Sequence, residues 1–187
     1  HFNLMKQWAS VHRDAFYQVL GSRYLMYGEW MYAKHTVFYD ALPHYFLEFD
    51  IYDRAQGIFL DTPSRRKLTE KLPIVSVPVL SEGVFSKQQQ LLDLIGPSNY
   101  ITEGNAACLQ RLSQELGLDA GQQCAETDLS TMMEGLYLKI EEGGQVAARL
   151  KYVRASFQQR LLESESHWLE RPIVPNQLAA PVSQLFE

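Results

Sequence analysis

Three features of the 187-residue chain predict a mixed fold of helices and strands. Between Glu134 and Arg154, two alternating apolar and polar runs flank Glu142-Gly143-Gly144, which is hairpin chemistry. Two segments crowded with aromatic and branched residues, Tyr24 to Tyr32 and Tyr45 to Tyr52, read as strands separated by the break Asp40-Ala41-Leu42-Pro43. Leu4, Trp8, Val11, Phe16 and Leu20 are spaced for one face of a helix over residues 3 to 20, and Gly21 stands where a C-terminal cap belongs.

The remaining elements follow from local signals. Thr62 with Pro63 predicts a helix start, and Pro73 its stop after Leu72. Val75 to Leu80 reads as a strand at a sheet edge, because Pro78 cannot donate to a ladder. Ser86 predicts a cap for Lys87 to Leu94, and Asn105 a cap for Ala106 to Leu116 before Gly117. Residues 118 to 130 are polar and read as a loop. A last amphipathic stretch from Ala155 to Trp168 predicts a helix, and beyond the prolines near Arg171 an extended wrap or a disordered tail is expected.

With 46% hydrophobic and 12% aromatic residues the chain can build a core, which excludes disorder and collagen-like repetition. The net charge of −5 argues against coating nucleic acid through bulk positive charge, while leaving room for a local basic site. Cys108 and Cys124 are the only cysteines, so neither a disulfide framework nor a zinc site is encoded, and a reducing, cytoplasmic setting is expected. The chain opens at His1 inside an apolar-patterned segment and is expected to continue upstream.

Several residues can carry chemistry. Period-two alternation puts Arg149 and Lys151 on one strand face, with Val146, Ala148, Leu150 and Tyr152 on the other. Two adjacent cations suit a polyphosphate, although alone they also fit an ordinary solvent face. Glu134 precedes Gly135, which permits close approach, and its carboxylate suits magnesium beside substrate phosphates; standing alone it reads first as a charged strand end. Glu29 lies among aromatic residues in Tyr27-Gly28-Glu29-Trp30, where it needs a partner such as a ribose hydroxyl or a salt bridge. Phe49 offers a ring to a planar base or to the core. His35 and His44 have no metal-ligand spacing and read as structural or exposed, and no nucleophile elbow or phosphate-binding glycine loop occurs.

In this order, Tyr27-Gly28-Glu29-Trp30, Phe49-Asp50-Ile51, Glu134-Gly135-Leu136-Tyr137-Leu138-Lys139 and Val146-Ala147-Ala148-Arg149-Leu150-Lys151 resemble motifs III, IIIa, IV and V of ATP-dependent RNA ligases. The resemblance spans residues 27 to 154 and is to the nick-joining branch of the covalent nucleotidyltransferases. It implies an α+β fold with antiparallel β-sheets and flanking helices enclosing a nucleotide cleft. It further implies residues 1–154 as a partial adenylylation domain lacking its N-terminal part, and 155–187 as a C-terminal helix and extended tail.

By position, the resemblance assigns Glu29 to the ribose, Phe49 to the adenine, Glu134 to magnesium-assisted catalysis, and Lys139, Arg149 and Lys151 to the phosphates. Asp50 accompanies Phe49 and reads as structural. Arg149 departs from the lysine common in the family, keeping the charge with a different fork. The implied substrates are ATP and RNA ends or nicked duplex, with Mg2+ as cofactor. The family's nucleophile lies in a K-x-D/H-G motif that no lysine here matches, Lys6 and Lys34 included, so it is expected upstream of His1 and this chain alone is expected not to self-adenylylate. A DNA ligase or guanylyltransferase of the same superfamily, and a non-catalytic nucleotide- or RNA-binding module, are the other readings. No oligonucleotide-binding barrel is recognisable after residue 154, which disfavours the first two.

Overall fold

The computed structural model describes residues 2–163, with side chains as far as Gln159, and residues 171–187. The predicted N-terminal helix is present but broken once, into α1 (Phe2–Val11) and α2 (Arg13–Leu20), at His12. The His12 ring turns to the far end of the chain, where Nε2 donates to the Leu185 carbonyl at 2.7 Å. Trp8 is the buried residue of α1 and packs its indole on Phe16, Trp30 and Phe46, with centroids 5.4, 5.9 and 5.1 Å away. These contacts fasten the helices to the sheet.

The sheet is built on β1 (Tyr24–Trp30) and β2 (Phe46–Asp53), paired antiparallel. Two short strands flank β2 on its other side: β3 (Ile58–Phe59), antiparallel beside Tyr52 and Asp53, and β4 (Val75–Ser76), parallel beside Leu47 and Glu48. The expected strand to Leu80 thus stops early and runs parallel, a departure from purely antiparallel sheets. Val77 still donates to the Glu48 carbonyl at 2.8 Å, but Pro78, next in line, has no N–H to continue the ladder.

The register of β1 on β2 shifts once. Tyr27 pairs with Asp50 and Gly28 with Glu48, so Phe49 is the extra residue of a β-bulge. Because paired residues share a face, the bulge sends Glu29, Tyr27 and Asp50 to one side and Gly28 and Glu48 to the other. Gly28 is required there, since a Cβ would lie 2.3 Å from the Phe46 ring and 2.8 Å from the Leu47 carbonyl oxygen. Glu48 is fully buried and forms an ion pair with the buried Arg65 of α3 (Thr62–Thr69), while Ser76 Oγ donates to the same carboxylate at 2.7 Å. The cap of α3 is Asp61 rather than Thr62, accepting from Ser64 N at 2.9 Å. The Thr62 hydroxyl and amide turn instead to Glu141, at 2.7 and 3.0 Å.

Beyond α4 (Gln88–Leu92), whose cap is Lys87 rather than Ser86, α5 (Asn105–Glu115) packs with α6 (Ala120–Ala125); Asn105 is the first residue of α5 and not its cap, which is Gly104, because its side chain is taken by the Phe38 carbonyl. The segment expected as a loop therefore holds a helix, capped by Asp119 accepting from Gln122 N at 2.9 Å; the spacing of an Asp and a Gln three residues on was its signal. The long connection from β1 to β2 has no strand of its own, yet its backbone is held along its length. Thr36 O accepts from Asp128 N, Phe38 O from Asn105 Nδ2, and Ala41 N donates to Tyr100 O, at 2.7, 2.6 and 3.1 Å.

The predicted hairpin is β5 (Gly135–Glu142) and β6 (Gln145–Val153), turned by Gly143 and Gly144 at φ 59° and 81° and followed by α7 (Ala155–Glu163). Ala147 is a second bulge, so the expected alternation holds from Ala148 to Tyr152 and not back to Val146. The expected helix beyond 163, as far as Trp168, lies outside the described residues.

The tail is an extended wrap only as far as Pro181; it ends in a 3-10 helix, Val182–Phe186, and both parts enter the core. Val174 and Leu185 are buried with Phe38 and Leu109, and with Trp8 and Leu47, respectively. Lys34 donates its amide to Val174 O at 2.7 Å, and its ammonium lies among Arg171, Glu126 and Cys124. Burial, then Arg171, lowers the Lys34 pKa from 10.5 to about 8. Above that pH the folded chain has released a proton that the unfolded chain still binds, so the Lys34 contribution to stability rises from about pH 8 towards 10, opposed within that window by the Cys108 thiol, which burial keeps protonated after the unfolded thiol has ionised. Higher still, Tyr39 and Tyr45 oppose the rise, because burial raises both phenols and the unfolded tyrosines ionise first. Urea midpoints taken across this window are expected to climb, and Lys34→Met to flatten the climb.

Candidate functional site

The face of the sheet that carries Glu29 and Asp50 is covered at one end by the β5–β6 hairpin. Tyr137 pairs with Lys151 and Lys139 with Arg149, so these four residues share the hairpin face. The tip is fixed by Leu60 pairing with Gln145 and by Asp61 N donating to Gly144 O at 3.3 Å. At the base, a Cβ on Gly135 would fall 1.9 Å from the Tyr152 carbonyl oxygen, so the close approach expected at that glycine is to the partner strand's backbone.

Asp50 is the centre of what the hairpin meets. Its carboxylate is fully buried and accepts from Tyr137 Oη at 2.6 Å and from Arg149 Nη1 at 3.3 Å. Lys139 Nζ lies 2.7 Å from Asp50 Oδ1, close enough for an ion pair but off line for a hydrogen bond, and instead donates to the Phe49 carbonyl. Two cations thus face one carboxylate, leaving a local excess of positive charge. The Arg149 guanidinium also lies over the Phe59 ring, 3.8 Å from its centroid, a cation–π contact beside its ion pair with Asp50. Burial, the hydrogen bond to Asp50 and its charge push the Tyr137 phenol up to about 12, so it remains a donor. Phe49 is half-buried, its ring edge-on to Tyr137 at 5.8 Å.

Lys151 points from the same face, is exposed, and forms no ion pair among the described residues. Glu134, at the entry to β5, accepts from Tyr39 Oη at 2.5 Å through Oε1. Glu29 is exposed and close enough to Tyr39 to disfavour its ionisation, as Glu134 does; burial comes first, and all three hold the phenol protonated. Five of the six candidate residues therefore fall in two groups linked by β5, Phe49, Lys139 and Arg149 around Asp50, and Glu134 and Glu29 around Tyr39, while Lys151 stands exposed on the hairpin face.

Sequence reasoning treated Asp50 as a companion of Phe49, whereas it is the anchor of both pairing cations. Tyr39 and Tyr137 carried no signal, since their partners lie 95 and 87 residues away. His44 is structural as read, its Nδ1 accepting from Phe46 N at 2.8 Å, and His35 is exposed.

A group of three or more His, Cys, Asp or Glu able to hold a metal ion does not occur among the described residues. The donor set at the hairpin entry is one carboxylate, Glu134. That fits magnesium, which keeps several waters and is held by one or two carboxylates together with substrate phosphates, and does not fit a protein-only cage. Among the described residues no helix is long and apolar enough to cross a membrane.

The family model described as RNA ligase matches residues 1–153, which include every candidate site residue. No curated protein and no solved structure gives a match. With the match covering most of the chain, the protein belongs to the RNA ligase family.

Proposed function

We propose that the protein acts as an ATP-dependent RNA ligase, joining a 3′-hydroxyl to a 5′-phosphate through lysyl-AMP and RNA-adenylate, with RNA ends or a nicked duplex as acceptor. The observation that carries the reading is the pair Lys139 and Arg149 gathered on one buried carboxylate beside the Phe49 ring. Asp50 preorganises the two cations, and an incoming phosphate meets them together with the unpaired Lys151. Glu29 faces the ribose hydroxyls, and Phe49 stacks on the adenine.

In the first transfer a lysine nitrogen bonds to the α-phosphorus and pyrophosphate leaves. In the second, an RNA 5′-phosphate oxygen takes the adenylyl group and frees the lysine. In the third, a 3′-hydroxyl oxygen bonds to the 5′-phosphorus and AMP leaves. Each displacement gathers negative charge on phosphoryl oxygens, which Lys139, Arg149 and Lys151 offset. Magnesium at Glu134, when bound, supplies further neutralisation of the same oxygens. A reducing, cytoplasmic setting suits Cys108 and Cys124, both unpaired thiols.

No lysine of the sequence has glycine three residues later, so lysyl-AMP formation is assigned to none of them. The last transfer needs no such lysine and is the direct test. Given 5′-adenylated RNA, a 3′-hydroxyl strand and magnesium, the protein is expected to seal the two and release AMP. With ATP and magnesium alone, intact mass is expected to show no added AMP. RNA and ATP binding without sealing would favour the non-catalytic module.

Phe49→Ala is expected to weaken ATP binding by about 1–3 kcal/mol, the range for base stacking on an aromatic ring. Calorimetry with ATP measures it. Unchanged affinity with a large fall in thermal midpoint would instead make Phe49 a packing residue.

A further inference from the structure

The bond between Tyr39 and Glu134 joins two segments that the proposed chemistry leaves unconnected. Tyr39 sits in the β1–β2 connection, and its backbone is held by the C-terminal tail on both polar sides: Tyr39 N donates to Asn176 Oδ1 at 2.9 Å, and Tyr39 O accepts from Gln177 N at 2.8 Å. Asn176 is itself 1% exposed. Its Nδ2 donates to Met31 O at 2.7 Å, its amide to Tyr32 O at 2.7 Å, and its carbonyl accepts from Tyr45 Oη at 2.8 Å. One tail residue therefore brackets the connection at its start, its middle and its end.

We infer that Tyr39 is a positioning residue for Glu134 and that Asn176 sets Tyr39, so that the C-terminal tail completes the metal-facing end of the site. This rests on the role proposed above for Glu134. The phenol occupies Oε1, and Oε2 has no hydrogen-bond or ion-pair partner among the described residues, which presents one oxygen to a cation in one orientation. A phenol suits the task better than a cation: it fixes the rotamer without neutralising the carboxylate. The hydroxyl donates its one proton to Oε1, and the ring that carries it is held in place through the Tyr39 backbone by Asn176 and Gln177. Partners one layer behind a metal ligand commonly alter metal affinity about 10- to 100-fold when removed.

The test is Mn2+ binding with ATP present, the setting in which one carboxylate and substrate phosphates hold the ion together, followed by electron paramagnetic resonance on the unchanged protein, Tyr39→Phe, Asn176→Ala and Glu134→Gln. Tyr39→Phe keeps the ring and its packing, so its thermal midpoint is expected to move by only about 3 °C. Its Mn2+ affinity is expected to fall about 10-fold. Glu134→Gln is expected to lose Mn2+ binding, and Tyr39→Phe placed on that background to add nothing. Asn176→Ala is expected to weaken Mn2+ binding as Tyr39→Phe does, and binding unchanged in the folded variant overturns the part given to the tail; if Asn176→Ala does not fold, Asn176→Ser is measured in its place and read the same way. Mn2+ binding that Tyr39→Phe leaves unchanged overturns the inference, as does binding that Glu134→Gln leaves unchanged. If the protein seals no RNA while this Mn2+ pattern holds, the ligase reading fails and the role of Tyr39 stands.

Discussion

Asp50→Asn is expected to lower the sealing rate about 100-fold or more while leaving the apparent affinity for RNA largely intact. The carboxylate is fully buried and is the shared partner of Lys139, Arg149 and Tyr137. An amide keeps the volume but removes the charge that holds the two cations together. Its oxygen can still accept from Tyr137, which turns its NH2 toward Lys139 or Arg149. Preorganised charge facing a developing oxyanion is worth about 100- to 1000-fold per group in comparable sites. Stability falls as well, because the Lys139 side chain is only 12% exposed and is left without its counter-ion. Leaving one member of a buried pair costs about 3–5 kcal/mol. Rates are therefore compared per folded molecule, below the variant's melting transition. A lowered midpoint with an unchanged rate would make Asp50 a strut and remove the observation on which the proposed function rests.

The other large effect concerns the opposite face of β2. Arg65→Met is expected to cost about 3–5 kcal/mol, a fall of roughly 6–20 °C in thermal midpoint for a chain of this size. Glu48 has no exposure, and the Arg65 side chain has 2%. Once Arg65 is removed, the Ser76 hydroxyl is the remaining hydrogen-bond donor to Glu48 among the described residues. The double change Glu48→Met with Arg65→Met is expected to regain most of the loss, since no buried charge is then left unpaired. Sealing per folded molecule should be near normal in both, because Glu48 and Asp50 lie on different faces of the strand. A double variant as unstable as the single would show that packing, not the buried charge, dominates at this position.

The hairpin, the two aromatic strands, the N-terminal helical face and the helices at Pro63 and Asn105 were legible because each is specified by neighbours in the chain. Glycines with positive φ at Gly143 and Gly144, alternation over Gly135 to Glu142, and a proline in the first turn of α3 act over a few residues. The order of the motif residues likewise sufficed to point to the ligase family. What the chain could not announce was the bulge at Phe49, which depends on how β1 sits against β2 and alone separates Glu48 from Asp50. Nor could it announce that Asp50 holds the hairpin cations, that Tyr39 reaches Glu134, or that Asn176 threads beside the β1–β2 connection. Those contacts join residues 89 to 137 positions apart. No local propensity encodes them, because what selects them is the satisfaction of buried polar groups once the layers have closed. The tail shows this most clearly: its prolines predict only irregular backbone, yet Val174, Asn176 and Leu185 are buried, because the folded core offers apolar neighbours to Val174 and Leu185 and the β1–β2 connection offers backbone amides and carbonyls that pair with the tail.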